Sequence, residues 1–175
     1  MTMNELYNRV ENAITQYEQA CQQEETLYSM MEDAQRDYSR YSSQMSTAED
    51  PNERNSAARQ MAAAQQRYTQ CQSQLQQVKG NIDQTKRILQ ATKSGTADAM
   101  QSLTQKIMEI SQSKSAFEQM ASLPFGGAEA AEKLSYLQSR SQEYQQNLND
   151  LGALADRIDS ALNGGGTTRQ KVLKR

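Results

Sequence analysis

Apolar and small residues recur along the first fifty positions at steps that alternate between three and four: Met3, Leu6, Val10, Ala13, Tyr17, Ala20, Glu24, Leu27, Met31, Ala34, Tyr38, Tyr41, Met45 and Ala48. That rhythm is the seam of a coiled-coil helix; a strand would turn alternate residues to opposite faces and scramble the set. Only Glu24 breaks the apolar character. Tyr7, Ile14, Cys21 and Tyr28 widen the stripe on one side, as in a helix that packs against more than one neighbour. The spacing predicts a helix of about 45 residues, roughly 67 Å long at 1.5 Å per residue.

The run ends in "STAEDPNERNSAARQMAAA", where Asp50 can cap a new helix, Pro51 takes its first position and Glu53 completes a capping box. Beyond it the rhythm resumes at Ala57, Met61, Ala64, Tyr68, Cys71, Leu75, Val78, Ile82, Thr85, Leu89 and Thr92. An antiparallel register in which facing numbers sum to 102 sets Met45 against Ala57, Tyr38 against Ala64 and Ala34 against Tyr68, large opposite small. Charge agrees: residues 1–50 carry ten acids and three bases, residues 51–95 two acids and seven bases. Complementary flanks favour pairing. Residues 1–93 therefore read as an antiparallel helical hairpin.

Residues 94–163 read as a second helical pair. In "KSGTADAM", Gly95 offers a helix stop and Thr96 a new cap, which predicts a turn and a third helix over 97–122. The seam can also run on through Thr96, Met100 and Leu103. "SLPFGGAEAA" interrupts clearly, through Pro124 and the Gly126–Gly127 pair, and a fourth helix follows over about 128–162. Residues 164–175 form a glycine-led basic tail containing Arg169, Lys171, Lys174 and Arg175. The expected fold class is all-α: a long antiparallel coiled-coil hairpin plus a second helical pair, elongated or closed as a four-helix bundle.

The composition restricts chemistry. With no His in the chain, no Ser-His, Cys-His or His-metal arrangement can be built from it alone. Catalytic, cofactor-binding and metal-binding residues are each read as none. Glu32, Asp33 and Asp37 read as a solvated acidic face. Cys21 and Cys71 lie ten residues out of register, about 15 Å along the axis, beyond disulfide reach. "FGGAEAAEK" follows no strand and lacks the lysine spacing of a phosphate loop. Hydrophobic residues make up 36% of the chain, below the roughly 45–50% of globular domains, so the apolar surface suits thin seams. The start "MTMNELYNRVENAI" lacks a basic segment followed by an apolar run, and a cytoplasmic location is expected.

Hairpin length, turn position and paired antiparallel helices over residues 1–93 resemble the small helical-hairpin proteins of type VII secretion, the WXG family and the helical partners of LXG toxins. The likeness is one of layout: the chain has no Trp, and its turn reads "AEDPNER". It implies a partner, adaptor or chaperone-like component of a bacterial secretion or toxin system, with export by a signal-peptide-independent route as the alternative to a cytoplasmic life. A helical protein partner or self-association is expected. The stripe-widening residues Tyr7, Ile14, Tyr28, Met108 and Met120 are the candidate partner surface. No small-molecule substrate is expected, and the tail offers a second reading, a weak, salt-sensitive hold on nucleic acid or an anionic membrane.

Overall fold

A computed structural model describes residues 2–164. Among them the chain forms three helices and no strand: α1 Met3–Thr47, α2 Pro51–Ala121 and α3 Gly127–Gly164. The all-α hairpin fold expected from the heptad spacing is present. The basic tail of Arg169, Lys171, Lys174 and Arg175 lies outside the described residues.

α1 begins with a complete capping box. The Glu5 amide donates to Thr2 Oγ1 at 3.1 Å, and the Thr2 amide donates to Glu5 Oε2 at 2.7 Å. These reciprocal bonds satisfy two donors that a helix start leaves bare. The Glu5 carboxyl is held below its ordinary range by the Thr2 amide first and the Thr2 hydroxyl second. The α1–α2 turn uses the proline as expected: α2 starts at Pro51, and the Asn52 amide donates to Asp50 Oδ1 at 3.0 Å. The reciprocal Glu53 bond does not form. Arg54 instead closes the turn, donating from Nε to the Ala48 carbonyl at 2.7 Å.

The turn expected at Gly95 does not form either, since α2 passes through it without a break. The reason lies in the buried seam on either side. Leu89, Thr92 and Thr96 are buried in succession at helical spacing. The Thr92 hydroxyl donates to the Ile88 carbonyl at 2.7 Å and the Thr96 hydroxyl to the Thr92 carbonyl at 2.9 Å. Each buried hydroxyl is thus satisfied within its own helix, where Thr96 as a cap would have ended it. Gly95 itself is exposed and costs about 1 kcal/mol relative to alanine, less than the burial on the opposite face returns. Three helices therefore stand where four were expected.

Contacts group the described residues into two compact units: Ala13–Arg87 with α3 from Ala161 onward, and the chain up to Asn12 with Ile88–Ser160. In the first, α1 and α2 form the antiparallel hairpin. Ala13, Ile14, Tyr17, Ala20, Cys21, Leu27 and Ala34 are buried on α1, and Ala57, Ala64, Cys71, Leu75, Val78 and Ile82 on α2. Arg54–Ala48 sums to 102, the expected register, and the Arg67–Asp37 pair at 3.0 Å sums to 104. Toward the turn the large-against-small layers are asymmetric. Ala57 and Ala64 are buried, while Met45 and Tyr38, placed opposite them, remain exposed. Two helices alone enclose a methyl group but leave the far end of a long side chain beyond the seam.

In the second unit the first turns of α1 join α2 and α3, where the sequence had placed residues 1–93 together. Within this unit Arg157 of α3 pairs with Glu11 and donates to the Tyr7 hydroxyl at 3.4 Å. α2 and α3 run antiparallel, with facing numbers near 250. Lys93 meets Asp159 at 2.5 Å, and the Lys106 ammonium lies 5.6 Å from the Tyr144 ring centroid. The Lys133 ammonium lies 5.4 Å from that of Phe117.

Candidate helix-docking face

Burial along the α2–α3 pair is uneven, and the unevenness follows where α1 begins. Where α1 packs on the pair, its Val10 and the facing Leu89, Thr96, Leu151, Leu154 and Ile158 are all 2% exposed or less. Past the start of α1 the same seam continues in Leu103, Ile107, Ile110 and Phe117 of α2 and in Leu134, Leu137, Tyr144 and Leu148 of α3. None of these eight is fully buried. The apolar spacing has not changed; the third helix has ended.

A groove of about 510 Å³ marks the boundary. Met3, Leu6, Leu103 and Leu151 supply its apolar lining, and Arg9, Lys106 and Asn147 its polar groups. On α2 the row facing α1 passes through Ser102 and Lys106, both in that lining. Helical steps of three and four carry this row to Ile110, Ser113, Phe117 and Met120. On α3 the row through Leu151 and Asn147 continues to Tyr144, Arg140, Tyr136, Lys133 and Glu129. The open rows thus contain two large exposed side chains, Met120 at 50% and Tyr136 at 62%. Cations lie over the aromatic rings between them: Lys106 and Arg140 over Tyr144, Lys133 over Phe117. Their apolar stems cover ring surface that a third helix would otherwise cover. Arg140 also pairs with Glu143 at 2.9 Å.

The sequence-derived partner residues scatter. Met120 lies on the open row. Met108, 60% exposed, sits twelve residues earlier on α2, about 120° away around the helix, so the two do not share a face. Tyr7 is exposed, and its hydroxyl accepts from Arg157. Tyr28 is half-buried, with the Lys79 ammonium 5.7 Å from its ring centroid. Ile14 is a correction: at 5% exposure it belongs to the core, because a stripe that wide is buried within this chain. Sequence reasoning missed Tyr136, Leu123 and Phe125, which fall off the seam or in the loop. It also missed the capping box that starts α1, although the pattern Thr2-x-x-Glu5 is legible as one.

Elsewhere the chemistry is sparse. A groove of about 640 Å³ on the hairpin is lined by Leu27, Val78, Thr26 and six amide side chains, with no acidic or basic group. Among the described residues no group of three His, Cys, Asp or Glu side chains could hold a metal ion. No described helix is long and apolar enough to cross a membrane. Cys21 and Cys71 are both buried free thiols. Burial pushes the Cys21 thiol above its ordinary value despite a hydrogen bond with Tyr17. Tyr17 is pushed up to about 12, by burial first and then by Cys21.

No family model, curated protein or solved structure matches this chain.

Proposed function

We propose that this protein is a non-enzymatic helical interaction protein, a partner, adaptor or chaperone-like component, whose working surface is the open section of α2 and α3. One observation carries the reading. Leu89, Leu151, Leu154 and Ile158 are fully buried beside the first turns of α1, whereas beyond them the large seam residues are half-buried and only the small Ala130 is enclosed, leaving Met120 and Tyr136 open on the side that α1 vacates. A protein surface laid on that side would complete the burial that α1 begins. The amide-lined groove and the absence of His support a binding role over a catalytic one. A place beside a bacterial secretion or toxin system is supported by the layout of the α1–α2 hairpin. Nucleic-acid or membrane binding through Arg169, Lys171, Lys174 and Arg175 is the second reading and rests on their charge in the sequence.

Methionine footprinting tests the first reading. Hydroxyl radicals should oxidise Met108 and Met120 at comparable rates in the dilute purified chain, given their similar exposure. In native cells Met120 should be protected several-fold relative to Met108. Equal oxidation in cells would show the face uncovered and end this reading.

A further inference from the structure

We infer that the open section of α2 and α3 pairs two copies of this chain antiparallel, each inserting Phe125 into the groove at the start of the other's α1. The inference rests on that section being an interaction face, and it names the occupant.

The chain carries both a knob and a hole. Phe125 is 91% exposed, with Leu123 and Met120 exposed beside it on the α2–α3 loop. The loop is held by the Leu123 amide on the Met120 carbonyl at 3.1 Å and by Gly126 at φ 78°, a conformation that side chains disfavour. The hole is the groove of about 510 Å³ between Met3, Leu6, Leu103 and Leu151. α1 is capped at Thr2 and Glu5, so the groove opens directly onto the uncovered section.

Spacing makes knob and hole meet. The open section runs from about Leu103 to Ala121 on α2, roughly 27 Å. A two-fold axis at Ser113, one position past its midpoint, pairs α2 positions whose numbers sum to 226. Residue 125 of one copy then falls at level 101 of the other, among Ala99, Ser102 and Leu103 of the groove lining. The same operation places the second Phe125 in the first groove, the reciprocity an isologous interface requires.

Charge fits a second copy too. The open rows carry Lys106, Lys133, Arg140 and Glu129, with Glu109 and Glu143 flanking them one residue before Ile110 and Tyr144 and Glu143 paired to Arg140, a balance that selects neither an acidic nor a basic partner. The two-fold brings Lys106 to level 120, where Glu129 stands one position away across the helix pair. It brings Lys133, at level 117, to Glu109, with Glu143 two positions on. Opposite charges therefore meet at both ends. Two helices about 9 Å apart over that length present about 500 Å² per copy, about 1,000 Å² in all. That is the lower bound of a specific interface, so a reversible dimer is expected.

Sedimentation equilibrium on the full chain, from about 1 to 500 µM, tests this. A monomer–dimer equilibrium is expected, and Phe125→Ala should weaken it at least about thirtyfold, as removal of a buried aromatic anchor does. Its helical circular dichroism should not change. Lys133→Glu and Glu143→Lys should each weaken self-association, and mixing the two variants should restore pairing. A chain monomeric to 500 µM whose Met120 is protected in cells would assign the face to another protein and overturn the dimer, leaving the interaction reading intact. A dimer indifferent to Phe125→Ala would overturn it as well.

Discussion

Gly95→Ala gives opposite signs for the two ways of reading residues 93–97. If Gly95 ended a helix in the left-handed conformation, a Cβ there would cost roughly 1–2 kcal/mol. In the structure it is an interior residue of α2, its φ is not positive, and an added Cβ would meet no atom within 4 Å. The substitution then removes backbone entropy from the unfolded chain and clashes with nothing. The expected effect is a stabilisation of about 0.8–1 kcal/mol. For a chain of this size that raises Tm by about 2–4 °C. Thermal and urea unfolding by circular dichroism should be run at a few micromolar, below the range in which the proposed dimer would contribute. Destabilisation of 1 kcal/mol or more would refute the continuous helix and the satisfied-threonine argument with it.

Two leucines of α3 test the burial gradient. Leu151→Ala, at a site 1% exposed, should cost about 3 kcal/mol, and Leu137→Ala, at a half-buried site where water can refill the space, about 1 kcal/mol. Equal losses by urea titration would remove the contrast on which the docking face rests. Tyr17 should make folding sensitive to alkali. Its pKa, raised from 10.0 to about 12, favours the folded state fully below pH 10, and that contribution disappears as pH climbs through 12. The loss is up to about 2–3 kcal/mol. Tyr17→Phe should flatten that slope in urea melts between pH 9 and 12, and an unchanged slope would count against the assignment. Both cysteines are buried and the Cys21 thiol is pushed up, so Ellman's reagent should label them at the rate of opening. Prompt labelling of the native protein would refute their burial.

The capping box at Thr2 and the threonine ladder at 92 and 96 show how local signals compete. Both are threonines placed where a helix can start, and only the first caps one. Thr2 has Glu5 three residues on, whose carboxylate accepts from the Thr2 amide. Thr96 follows an unbroken seam whose burial outweighs one exposed glycine. Likewise, Asp50 and Pro51 punctuate the chain because proline restricts its own φ and the residue before it, whereas Gly95 only permits a break. The expectation for Ile14 failed for a related reason. A wide apolar stripe shows that a second neighbour exists, and it does not say whether that neighbour belongs to the same chain.

What the order of residues determined by itself was therefore everything set within a few turns of helix: the all-α class, the seam positions, the bend at Asp50–Pro51 and the interruption at Pro124–Gly127. Those follow from side-chain spacing and backbone restriction, which act locally. What only the tertiary structure decided was coverage. Whether Leu103, Phe117, Met120 and Tyr136 end up sealed or open depends on where α1 stops relative to α2 and α3. That stopping point is a three-helix alignment, and identical heptad spacing runs on both sides of it.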